Sequence, residues 1–452
     1  MLTAARGATL ILLGALLAQA PLTAQAYQPR QPEFRANPTR ATPTETATEP
    51  VTEPSTTPTP TSSPTVLPSL VTPTPTSTPT PTATTSASEE PVARSWSEVV
   101  KQVTETSPGD VQLRSADQSA QAASMLRCFK LDTENYCLGL GFVEQVPTGA
   151  QRHALMSEPT TEPSLRASDE VGTEQDISTG DLTPATFVEQ RAALPKSQRV
   201  TAELDEMQAA WSGREKAREL REIAEANTPP PNPEATPAPS TTPVPTRTAP
   251  TVGPSTPVPS APQTPAAPVV APASAYIMKG YQTSQEKGYW CGPATFQSID
   301  WADDKQKDTQ ASWAKDLGST TGGTAISAMV KQTNAKTAWP KAAGPYVVQN
   351  VKGWNSQTFF QVHQKHLGVY KAPVIEHVQL LKRYFPYLAF NHSGHYQVGR
   401  GYNKANGTIA IFEVFNERRF NSRGNVTDGP KNIPASALFN ATLANSFQNI
   451  GL

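Results

Sequence analysis

Tyr289-Trp290-Cys291-Gly292-Pro293-Ala294-Thr295 is the stretch from which the rest of the chain can be read. Proline in a first helical turn is already set to a helical φ and surrenders an N–H that has no intrahelical partner there. Glycine before it allows a tight turn into the helix. The pattern predicts a helix starting at Pro293, with Cys291 at or just before its N-terminus. There the positive end of the helix dipole favours thiolate over thiol, so the spacing predicts a lowered pKa and a reactive sulfur. The chain has 3 cysteines. Cys128 and Cys137 are near enough in sequence to pair with each other, which leaves Cys291 alone. Its neighbours do not resemble the apolar strand or helix interior in which an inert cysteine usually sits.

A nucleophilic thiolate needs a base and a stabiliser for the oxyanion it creates. Gln285 lies in a loop containing Gly288, where its amide can reach back beside the thiol and join the Cys291 N–H as an oxyanion donor. The base must come from 6 histidines. His153 lies in a polar middle segment, and His363, His366 and His377 fall on predicted helices. His392 and His395 flank Ser393-Gly394 at the mouth of a strand rich in aromatic and β-branched residues, and His395 is the first choice.

The segment Gln285-x5-Cys291-Gly292-Pro293-Ala294 resembles the nucleophile motif of the C39-like cysteine peptidases. Gly394-His395-Tyr396-Gln397-Val398-Gly399-Arg400-Gly401-Tyr402 resembles their histidine motif. The resemblance covers about residues 275–452 and implies a papain-like α+β fold with a Cys–His acyl-enzyme mechanism. In that family an acidic residue, commonly in Asp-Pro, closes the following strand and orients the imidazole. The matching stretch here ends in Glu413-Val414-Phe415-Asn416, with Glu413 in the acid's position and no proline after it. Glu413 is therefore the expected orienting residue, with Asn416 as the alternative. Leader-peptide processing is not carried over, because the chain has no transporter helices and no Gly-x4-Gly-Lys-Ser/Thr loop.

The pattern around these motifs predicts a strand over Tyr276–Tyr281 and helices from Pro293, over Ala325–Gln332, Asn355–His366 and Ile375–Lys382. Strands follow over Tyr387–Asn391, Tyr396–Tyr402 and Thr408–Phe415. Helices first and antiparallel strands second indicate an α+β fold.

Outside this domain the composition changes sharply, and the chain's 45 prolines are concentrated there. Arg6, the apolar run Ala8–Leu17 and Ala24-Gln25-Ala26 read as a signal peptide over residues 1–26, so a secreted, extracellular or cell-surface protein is expected. Thr/Pro/Ser-rich residues 27–94 and Pro/Ala/Thr-rich residues 227–274 read as extended linkers that cannot bury a core. Between them, residues 95–226 form a polar, partly helical middle segment. Helices are expected over Trp96–Val103, Ala116–Leu126 and Pro195–Ala226, with a disulfide-tied hairpin around Cys128 and Cys137. Leu204, Met207, Ala210 and Trp211 form an apolar stripe on the last helix. A net charge of −1 indicates neither a nucleic-acid footprint nor a basic membrane patch. No stable membrane insertion is expected after signal cleavage. No HExxH and no paired-cysteine spacing suggests a metal, and no cofactor is expected. Expected partners are a peptide, a protein or a cell-wall peptide, with room for an intramolecular contact from the middle segment. Sequons occur at Asn391, Asn406, Asn425 and Asn440. Two further readings use the same residues: a silent peptidase-like binding module, and a transglutaminase-like acyltransferase.

Overall fold

A computed structural model of the protein describes residues 91–109, 124–156, 179–227 and 270–452, all within one unit, Thr84–Leu452. The expected signal peptide, most of both linkers and most of the helix at Ala116–Leu126 lie outside the described residues.

The strands are β1 (Val92–Ala93), β2 (Cys128–Leu131), β3 (Glu134–Cys137), β4 (Gly141–Val143), β5 (Ser274–Tyr276), β6 (Val348–Asn350), β7 (Val374–Gln379), β8 (Gly394–Asn403), β9 (Thr408–Glu413), β10 (Gly429–Pro434) and β11 (Asn449–Gly451). They form a single mixed sheet in the order β1-β2-β3-β4-β6-β11-β7-β8-β9-β10, with β5 added on β8. Helices pack around it, so the molecule is α+β.

The middle segment enters this sheet as strands of its own. The β2–β3 hairpin turns through Asp132, at φ 54°, a left-handed position that Asp tolerates. It brings Cys128 opposite Cys137, and the two form a disulfide. β4 then lies parallel to β6, with Phe142 beside Gln349. The helix Lys196–Ala226 lays its stripe on this part of the sheet: Met207 and Ala210 are buried, and Leu204 and Trp211 are half-buried against the same core.

Three expected elements differ. The strand expected over Tyr276–Tyr281 is Ser274–Tyr276, β5, which pairs with Gly401–Asn403 of β8 and ends at Tyr276. Residues Ile375–Lys382 were expected as a helix, but Val374–Gln379 is the strand β7, between β8 and β11. Its first five residues are all buried. A strand covered on both faces shows no alternation, and a short apolar run of this kind has no period that separates it from a buried helix. Tyr387–Asn391, expected as a strand, is a loop. The Glu417 carboxylate accepts from the Ala389 and Phe390 N–H groups, taking the role a neighbouring strand would have had.

The helix Cys291–Asp304 has every residue from Cys291 to Asp300 buried. It packs on β8, so the helix that carries Cys291 and the strand that carries His395 are neighbours in the core.

Candidate active site

The helix begins at Cys291 with Trp290 as its N-cap, two residues earlier than the proline suggests. Thr295 Oγ1 donates to the Tyr396 carbonyl at 3.1 Å, pinning the first turn to β8 one residue beyond His395. Thr324 packs against Gly292, where an added Cβ would overlap the threonine side chain. Close approach of this wall explains why glycine follows the cysteine. The Tyr396 and Gly292 N–H groups favour the charged form of the Cys291 sulfur. The lowered pKa expected from the helix dipole is not found in this arrangement. Burial pushes the thiol up, the Asp181 carboxylate pushes it further, and the two backbone N–H groups only partly oppose them.

His395 is fully buried and sits opposite Val378 on β7. Its Nε2 meets Glu413 Oε1 at 2.7 Å. Glu413 also accepts from the Phe415 N–H at 2.9 Å, Tyr387 Oη at 2.8 Å and Gln397 Nε2 at 2.7 Å. Burial alone would raise this carboxyl, but His395 and these donors outweigh it, so it lies below the usual carboxylate range and is charged. A charged acceptor at Nε2 fixes the tautomer of a neutral ring and stabilises the imidazolium. Nδ1, on the other side of the ring, has no hydrogen-bond partner among the described residues. Asn416, the alternative orienting residue, donates instead to Asp428 Oδ1 at 2.8 Å.

Gln285 is completely buried, and its loop is tied to the end of β9 by its own N–H, which donates to the Val414 carbonyl at 2.8 Å. Gln310 clamps the same loop: Oε1 accepts from the Glu286 N–H at 2.9 Å, and Nε2 donates to the Ser284 carbonyl at 2.8 Å. Gln285 Nε2 faces three carbonyls, those of Gly288 at 2.7 Å, Lys287 at 2.9 Å and Thr179 at 3.3 Å. The Cys291 N–H donates to that same Thr179 oxygen at 3.2 Å. Both groups expected to hold an oxyanion therefore converge on one carbonyl oxygen. It belongs to the middle segment, where Thr179–Leu182 covers Cys291.

The other histidines have separate partners: His392 Nε2 with Glu417 at 2.8 Å, His363 Nε2 with Glu376 at 2.9 Å, and His377 Nε2 with Asp181 at 3.1 Å. Gln310, Thr324 and Thr179–Leu182 were not singled out from the sequence. Only the Gly322-Gly323-Thr324 turn carried any local sign of a close backbone approach. Among the described residues, no group of three or more His, Cys, Asp or Glu side chains could hold a metal ion, and no helix is long and apolar enough to cross a membrane.

Gln285, Cys291, His395 and Glu413 thus occupy one buried site assembled from the helix start, β8 and β9. Residues 280–427 match the model of the Peptidase_C39 like family. All four residues, and Asn416, fall within this C39-like region, whereas Thr179–Leu182 lies outside it. No curated protein and no solved structure matches the chain. The family match supports a peptidase, and peptides or proteins are the substrates it implies.

Proposed function

We propose that this protein is a secreted cysteine hydrolase that cleaves peptide or amide bonds through an acyl-enzyme. The observation that carries the reading is the state of His395: Nε2 is held by a charged Glu413, Nδ1 is unpartnered, and the next residue's carbonyl is bonded by Thr295 in the first turn of the Cys291 helix. Nδ1 takes the Cys291 proton as sulfur adds to the substrate carbonyl carbon. The Cys291 N–H and Gln285 Nε2 hold the oxygen as it gains charge. His395 returns the proton to the leaving amine, the C–N bond breaks, and a thioester remains. Water, deprotonated by His395, then releases the acid and restores the thiol. The Cys128–Cys137 disulfide agrees with an oxidising compartment, and so with export.

The test is hydrolysis of an unfolded protein such as reduced casein, by wild type and by Asp181→Ala, in which the covering segment loses its carboxylate anchor. Hydrolysis is expected in at least the second, and adding Cys291→Ala or His395→Ala should abolish it. No hydrolysis in either background, or hydrolysis that survives both added substitutions, would sink the reading.

A further inference from the structure

The catalytic side chains have no exposed surface: Cys291, His395, Gln285 and Glu413 are each 0% exposed. What covers them is specific. Four consecutive residues, Thr179 to Leu182, run between two walls and bond to both. On one wall, the Thr179 N–H donates to Ser393 Oγ at 3.1 Å, and Thr179 Oγ1 donates to the Gly394 carbonyl beside His395. On the other, the Thr324 N–H donates to the Gly180 carbonyl at 2.9 Å, and the Leu182 N–H donates to the Thr324 carbonyl at 3.2 Å. This places Asp181 beside Thr324 as one rung of a parallel ladder. Between the walls, the Thr179 oxygen takes the Cys291 N–H and Gln285 Nε2.

Side chains lock the segment as firmly as its main chain. Asp181 Oδ2 accepts from His377 Nε2 and from Asn445 Nδ2, each at 3.1 Å, and is nearly buried. Leu182 fills an apolar cluster with Phe187 and Phe447. Gly180 has φ 114° and lies so close to the Tyr289 carbonyl that a Cβ would overlap it. Gly394 has the same property toward the Asp181 carboxylate. Downstream, Thr183 caps the helix Pro184–Ala193, which anchors the segment in the folded part of the chain.

Main-chain pairing on both sides, a carbonyl against the oxyanion donors and a dedicated anchor for a side chain are what a peptidase cleft offers an extended peptide substrate. We propose that Thr179–Leu182 is a built-in pseudosubstrate that occupies the peptide cleft and holds the enzyme latent until it is displaced. The inference rests on the peptidase reading of the same site. It also names the ligand class: an extended peptide chain with a residue lacking Cβ beside Tyr289 and an acidic residue facing His377 and Asn445. Asp181 adds to the block, since its charge and the burial it brings both act against a Cys291 thiolate.

The experiment is the rate at which iodoacetamide alkylates Cys291 in the native, full-length mature chain, followed by mass spectrometry of the Cys291 peptide. In wild type the rate should be at least a hundredfold below that of a free thiol. In Asp181→Ala, and in Thr179→Val, which removes the bond to Gly394 at nearly constant volume, it should rise tenfold or more. Casein hydrolysis should rise with it. If a variant fails to fold by circular dichroism, wild type supplies the test: in urea, fast alkylation should begin below the midpoint of global unfolding. Wild-type alkylation at the free-thiol rate overturns the proposal. So does equal alkylation of folded variants and wild type, or onset only at global unfolding. Faster alkylation without hydrolysis supports the covering segment and overturns the peptidase reading instead. Equal hydrolysis by wild type and variants keeps the peptidase and overturns latency.

Discussion

His395 Nε2 lies 2.7 Å from Glu413 Oε1, beyond the last rung of the β8–β9 ladder, and neither side chain is exposed. The carboxylate also receives the Phe415 N–H, Tyr387 Oη and Gln397 Nε2, so a test of its charge has to keep its shape. Glu413→Gln keeps the shape but removes the charge and offers the ring an N–H donor. In a background with the cleft opened, kcat is expected to fall by about 10²–10⁴-fold with little change in KM. Asn416→Ala, which touches Asp428 rather than the histidine, should leave kcat within about twofold. Steady-state kinetics of the two variants checks the assignment, and a larger loss from Asn416→Ala would reverse it.

Gln285 donates from a side chain that the rest of its loop holds in place. Gln285→Ala should lower kcat by about 10²–10³-fold, the cost of one oxyanion donor. Alkylation of Cys291 needs no oxyanion donor, so its rate should fall far less. A parallel loss in both measurements would mean that the substitution had disordered the loop.

Lys216 is buried beneath Tyr346 with its Nζ 3.3 Å from His366 Nε2. Burial lowers its pKa from 10.5 to about 7, and burial together with the Lys216 charge pushes His366 well below its usual range. Because the folded-state pKa lies below the unfolded one, the unfolded chain binds the extra proton between about pH 7 and 10.5, and stability from this group rises with pH across that window. Lys216→Met should therefore stabilise the protein by about 1–3 kcal/mol at pH 6 and by less at pH 9. Urea denaturation at the two pH values tests the sign.

The Cys128–Cys137 disulfide spans 9 residues across the β2–β3 hairpin. A loop of that length restricts the unfolded chain by about 2–3 kcal/mol. Replacing both cysteines by serine should lower global stability by roughly that amount in denaturant titration. Cys291, on another element, should keep its alkylation rate in the folded state.

Several features were legible because they are local chemistry. The Gly-Pro pair after Cys291 lies in the first turn of a helix, where proline's fixed φ and missing N–H fit. The run after His395 alternates and branches as a strand should, and Glu413 closes the next strand at a readable distance. The β7 strand was not legible, since a strand buried on both faces has no period of its own. The Tyr387–Asn391 loop misled for the opposite reason: it is rich in strand-forming residues, yet its N–H groups are satisfied by the Glu417 carboxylate, 28 residues away from Ala389.

By itself, then, the sequence determined the order of Gln285, Cys291, His395 and Glu413 along the chain and the α+β character of the region that holds them. Each follows from backbone preferences and side-chain chemistry within a few residues. Only the tertiary structure decided that Glu413 and not Asn416 meets the imidazole. It also showed that the middle segment shares the sheet through β4 and β6, and that Thr179 sits against Cys291. Those outcomes depend on which strands become neighbours and which carbonyl ends nearest two fixed donors. Residues 106 positions apart, such as Thr179 and Gln285, carry no local mark of that meeting. The same approach buries the thiol and places Asp181 near it, which is why burial overrides the helix dipole at Cys291.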